Sequence, residues 1–109
     1  MEKKVFSLVK KYGSTNPFFI AKEMGIKIIL SNLGEIDGYY IRIKKSRFIF
    51  LHEKLSEKKI YEVMAHELAH AVLHKEIATP HFMGPCCIDC TDEEIEANEF
   101  ARILLGMNN

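Results

Sequence analysis

VMAHELAHAVLH, residues 63–74, places two histidines four apart with a glutamate directly after the first. From Ile60 to Leu73 the only polar residues are Glu62 and this trio, so the segment is predicted to be a buried helix, apolar on nearly every side. At about 100° per residue, His66, Glu67 and His70 fall within an arc of about 100°. The main apolar side (Tyr61, Met64, Ala65, Leu68 and Val72) lies opposite, while Val63 and Leu73 flank the histidines. Two imidazoles and a carboxylate in that setting need partners, because an unsatisfied buried polar group costs on the order of 2–7 kcal/mol.

A divalent metal would satisfy them together. Imidazoles four apart project from one face, about 6 Å apart along the axis, and can converge on one ion. Glu67 then sits beside the ion, placed to take a proton from water that the metal acidifies. This is the H-E-x-x-H arrangement, whose known chemistry is zinc-assisted hydrolysis. The plainer alternative is a helix whose histidines bond to neighbouring groups. His74 shares the face one turn on, but it stands near the helix end and is assigned a supporting or surface place.

A catalytic zinc takes three protein ligands and keeps a further position open. TDEEIEANEFARILL, residues 91–105, is the obvious supplier of the third. Its apolar stripe is Ala97, Phe100, Ala101 and Leu104, with Leu105 at the edge. Glu93 and Glu94 both lie within about 50° of that stripe's centre, whereas Glu96 and Glu99 point away. The wheel does not choose between Glu93 and Glu94, and Thr91-x-x-Glu94 also reads as a capping box. Ala97 and Ala101 are small enough to admit close helix packing, and Asn98 could hold a histidine's distal N–H.

Around these two helices the chain alternates plainly. Residues 3–12 form an amphipathic helix; STNP (14–17) then supplies cap residues, and Pro17 suits the first turn of a second short helix that Gly25 ends. IKIIL (26–30) reads as a strand, and GYYIRIKKSRFIFL (38–51) as a hairpin about Lys44–Arg47. Ser56 caps the histidine helix, expected over 57–75. A loop with Pro80, Gly84, Pro85 and the cysteines follows, and the last helix begins at Thr91 or Asp92. The fold class is α+β, a small antiparallel sheet packed on helices. FIAKEMGI resembles the opening of a helix-turn-helix, but a strand follows where a recognition helix would stand.

Its 109 residues suit one compact domain over 1–109, and 48% hydrophobic content supports a core. Fifteen basic and fifteen acidic residues cancel, which argues against direct nucleic-acid binding. No apolar run approaches the roughly 20 residues of a membrane span, and no secretory signal is visible. Cys86, Cys87 and Cys90, three thiols crowded together, make no disulfide framework and suit a reducing cytoplasm.

The chain resembles the ImmA/IrrE family of metallo-endopeptidases. The likeness is carried by HELAH (66–70) with the trailing AVLH, and by EIEANEFARILL (94–105). NPFFIAKEMGIKI, the hairpin, and Leu55-Ser56 add to it. The resemblance implies a zincin-like catalytic core and a cytoplasmic, zinc-dependent peptidase of a bacterium, phage or mobile element. It further implies that the protein substrate is a helix-turn-helix repressor. Carried over by position, His66 and His70 match the family's histidine ligands, Glu67 its catalytic glutamate, and Glu94 its third ligand. Alanine stands at position 69 where many relatives have glycine, and the CCIDC stretch has no counterpart in the family pattern. A second reading keeps the fold and metal in a binding module that titrates the repressor without cutting it.

Weaker signals complete the inventory. His81, Tyr39 and Tyr40 are candidate donors to a tetrahedral oxyanion, with hairpin packing the alternative for the tyrosines. Cys86, Cys87 and Cys90 could join His81 in a second zinc site, although free thiols at a loop are preferred. An edge of the 38–51 hairpin could align an extended substrate strand.

Overall fold

The computed structural model describes residues 1–73, the backbone of 79–81, and residues 92–107. The element order is α1 (Glu2–Tyr12), α2 (Pro17–Glu23), β1 (Lys27–Ser31), β2 (Gly38–Ile43), β3 (Ser46–His52), α3 (Glu57–Leu73), β4 (Thr79–His81) and α4 (Asp92–Gly106). The class is α+β, as the sequence indicates. The short strand β4 is an addition, since its residues read as loop in the sequence. No described helix is long and apolar enough to cross a membrane.

Local signals set the helix ends. Asn16 Oδ1 accepts from the Phe18 N–H at 2.9 Å, and Pro17 occupies the first turn of α2. The fixed φ of proline and its missing N–H suit that place. Ser56 Oγ accepts from the Lys59 N–H at 3.2 Å and opens α3, fixing the phase of everything downstream on that helix. At the other end of α2, Arg47 Nη2 donates to the Met24 carbonyl at 2.7 Å, tying β3 to the helix terminus.

The sheet runs in the order β1-β3-β2-β4. Strand β2 pairs antiparallel with both β3 and β4, but β1 joins β3 in parallel, so the sheet is mixed rather than antiparallel throughout. The cause is the chain reversal over residues 32–37. There Asn32 Oδ1 accepts from the Gly34 N–H at 3.0 Å, and Gly34 takes φ +67°. Strand β2 thus runs opposite to β1, and the tight hairpin returns β3 into the slot between them. Much of the hairpin edge is covered: β1 lies along residues 48–52 of β3, and β4 along 38–40 of β2. This leaves 41–43 of β2 and 46–47 of β3 without a neighbouring strand on their outer sides among the described residues. Among the described residues the outer strands are β1 and β4.

Helix α3 lies against the inner sheet face, and every residue from Val63 to Ala71 is buried. Tyr40, Ile49 and Leu51 meet it from the sheet, Ile20 and Ala21 from α2, and Ala97, Phe100, Ala101 and Leu104 from α4. The predicted apolar stripe of α4 is therefore the face it buries. Each large side chain in this layer contributes roughly 1.5–3 kcal/mol of transfer free energy.

One glycine allows the close contact. A Cβ on Gly38 would lie 2.7 Å from Val63 Cγ1 and 2.9 Å from the Phe50 carbonyl oxygen. The second of these is backbone and cannot swing aside, so only glycine lets β2 approach both α3 and β3. Gly38→Ala is expected to lower stability by about 1–3 kcal/mol, as overpacking does. Urea denaturation should show a lower midpoint at an unchanged slope.

Candidate metal centre

Helix α3 presents His66 and His70 on successive turns of one face, and α4 crosses against it through Ala97 and Ala101, which bring the backbones near. Their approach carries Glu94 to the histidines. His66 Nε2 lies 2.9 Å from Glu94 Oε2, and His70 Nε2 lies 3.0 Å from Glu94 Oε1. The two Nε2 atoms are 3.1 Å apart. Ligand atoms of the three residues all fall within 4.8 Å of one another. Of the two acids the helical wheel left open, Glu94 reaches the histidines; Glu93 is outside the cluster.

His66 Nδ1 donates to Asn98 Oδ1 at 2.8 Å, so in the neutral ring Nε2 carries the lone pair. Nε2 faces a carboxylate oxygen of Glu94 and the second ring nitrogen. Two imidazole nitrogens with one carboxylate oxygen form a fitting donor set for a divalent metal. Asn98 holds the His66 ring in the way an acceptor orients an imidazole that binds metal.

Glu67 is wholly buried, and neither of its carboxylate oxygens has a hydrogen-bond partner among the described residues. Desolvation pushes its carboxyl well above the usual range, and the negative charge of Glu94 adds to the rise. The Tyr40 backbone lies near enough to draw it down slightly without meeting the geometry of a hydrogen bond. This neighbouring main chain had no signal in the sequence. Glu94, by contrast, keeps a side chain 22% exposed, so the cluster has one side toward solvent.

The remaining candidates separate by position. Tyr40 points to the α3 side of β2 and is wholly buried as one of the largest core side chains. Tyr39, on the opposite face, stacks on Phe50 with ring centroids 4.7 Å apart, away from the cluster. The β4 backbone at His81 pairs with Gly38, while the His81 side chain lies outside the described part. His74, Cys86, Cys87, Cys90 and the Thr91 cap also lie outside the described residues.

Two measurements test this geometry. Asn98→Ala removes the acceptor behind His66 and should weaken zinc binding about 10–100-fold in competition with a fluorescent chelator. Asn98→Asp keeps an acceptor oxygen and should retain most of the affinity. The raised Glu67 carboxyl also predicts a pH effect in chelator. The folded state holds this proton more tightly than the unfolded chain, where the value is about 4.3. Stability is therefore lost as pH rises from there through the folded value. Glu67→Gln lacks this slope, so its melting temperature should gain on that of the unaltered chain as pH increases.

Similarity to known proteins places the chain in a family. Residues 21–106 match the peptidase M78 family, described as the IrrE N-terminal-like domain. The chain is 36% identical over 99 residues to uncharacterized immunity region protein 2 of Bacillus phage phi105, covering 90% of this chain and 63% of that protein. It is 33% identical over 78 residues to metallopeptidase ImmA of Bacillus subtilis, covering 70% of this chain and 45% of that protein. The chain thus spans less than two thirds of either relative. No solved structure is a significant match. With the H-E-x-x-H helix and the α4 carboxylate both inside the matched span, the chain belongs to the ImmA/IrrE family of M78 metallopeptidases.

Proposed function

We propose that this protein is a zinc-dependent endopeptidase of the cytoplasm that cuts a helix-turn-helix repressor and so releases the genes of a mobile element or a stress response. The observation that carries this reading is the convergence of His66, His70 and Glu94 beside a buried Glu67 whose carboxylate oxygens have no hydrogen-bond partner among the described residues. The name of the phage relative attaches that protein to an immunity region, which supports a target in repressor control. The H-E-x-x-H spacing of His66, Glu67 and His70, with a carboxylate as third ligand, points to zinc among the metals this donor set could take.

His66, His70 and Glu94 would hold the ion, with Asn98 keeping His66 in the ligating tautomer. When bound, zinc supplies Lewis acidity, polarising a peptide carbonyl and acidifying the attacking water. Glu67 accepts the proton of that water and returns it to the departing amine nitrogen as the C–N bond breaks. Burial suits it to this task, since desolvation raises its basicity above that of an ordinary carboxylate.

The decisive experiment incubates the metal-loaded protein with the repressor encoded beside its gene, with and without chelator. Fragments that disappear with chelator and with Glu67→Gln are the expected result. The loss for Glu67→Gln should be on the order of 10²-fold or more. Stable binding without fragments would identify instead a metal-bearing antirepressor that acts by titration. Metal analysis showing no zinc after reconstitution would remove both readings.

A further inference from the structure

On the side of the molecule formed by α1 and the end of α3 lies a groove of about 470 Å³. Its floor is apolar, made by Leu8, Val72 and Leu73, all of them only partly buried. Its rim is cationic, set by Lys3, Lys4 and Lys11 with Ser7 between them. Lys3, Ser7 and Lys11 follow one another at four-residue spacing along α1, so they form a continuous stripe on its solvent side. All four rim residues are exposed. None of the three lysines is in an ion pair with a described residue, and Glu2, the only acid of α1, does not line the groove.

We propose that this groove docks an acidic amphipathic segment of a partner protein, with apolar side chains on the Leu8–Val72–Leu73 floor and carboxylates along the lysine stripe. Charge and shape select this occupant together. A volume of this size accommodates a few apolar side chains, and a row of ammonium groups in no ion pair with a described residue favours carboxylates spaced one turn apart. A membrane surface fits less well. Leu8, Val72 and Leu73 are all partly buried and none is aromatic, so they offer a bilayer little to insert. Nucleic-acid phosphates would use the lysines and leave the same floor uncovered. The proposal concerns binding alone and stands independently of the peptidase reading.

The test uses a short fluorescein-labelled helical peptide with leucines on one face and glutamates flanking them, followed by anisotropy against the full chain. Binding is expected, and should weaken at least about tenfold for Lys3→Glu/Lys4→Glu/Lys11→Glu, since each reversal turns an attraction into a repulsion. Ser7→Trp fills the groove without altering charge and should weaken binding to a similar degree. All these positions are at the surface, and an unchanged far-UV spectrum confirms the fold of each variant. Binding should also fall as salt rises to physiological strength, where the screening length is about 8 Å. Three results would overturn the proposal: no binding of the glutamate peptide, equal binding of its glutamine counterpart, or binding indifferent to Ser7→Trp. Capture by phosphatidylserine vesicles in place of the peptide would assign the face to membranes instead.

Discussion

The structure depends on enclosing three ionisable side chains in the middle of an otherwise apolar helix. His66, Glu67 and His70 sit inside the unbroken buried run of α3. Each such group left without a partner costs on the order of 2–7 kcal/mol, against a total stability of about 5–15 kcal/mol for a domain. The fold therefore has to supply partners from elsewhere, and α4 does so for the histidines. Its small residues Ala97 and Ala101 bring its backbone close, and Glu94 and Asn98 then fall on the two nitrogens of His66. The packing of two helices and the assembly of a candidate metal centre are here one event.

Glu67 and Glu94 show how position divides one chemistry into two. Both are glutamates beside the same imidazoles, but Glu94 is partly exposed and shared between two ring nitrogens, as a charged ligand would be. Glu67 is sealed in the core with its carboxyl pushed upward, first by desolvation and then by the charge of Glu94. A group held reluctantly in its charged form makes a good proton acceptor. The difference follows from neighbouring places on α3: His66 faces α4, and Glu67 faces the backbone of β2.

Much of this arrangement was legible in the residues. Periodicity, the cap residues of STNP with Pro17, and Ser56 marked the helices, and the apolar stripe of α4 became its buried face. What escaped was non-local. A short apolar run such as IKIIL does not state its partner's direction, so the parallel pairing of β1 with β3 could not be read from it. Consecutive tyrosines at 39 and 40 fit either phase of the strand, and only the approach of α3 over Gly38 decides which one is buried. The choice between Glu93 and Glu94 rested on family likeness, because a difference of one position is smaller than the uncertainty in a helix's rotation. The main chain of Tyr40 beside Glu67 left no mark on the sequence at all.

Zero net charge also conceals a division that only the fold displays. Helix α1 carries Lys3, Lys4, Lys10 and Lys11 against Glu2 alone, whereas the first half of α4 carries Asp92, Glu93, Glu94, Glu96 and Glu99 with no basic residue. The acids of the first turn of α4 are favoured by the helix dipole, which offsets part of their mutual repulsion. Their negative field surrounds the carboxylate that meets the histidines and draws cations there, while disfavouring anionic segments at the same place. The lysine groove across α1 has the opposite preference. At physiological salt the screening length is about 8 Å, so each field is strongest close to its own side chains. Composition averages them away, and the exclusion of charged partners that it suggests therefore applies to the whole chain but not to each of its faces.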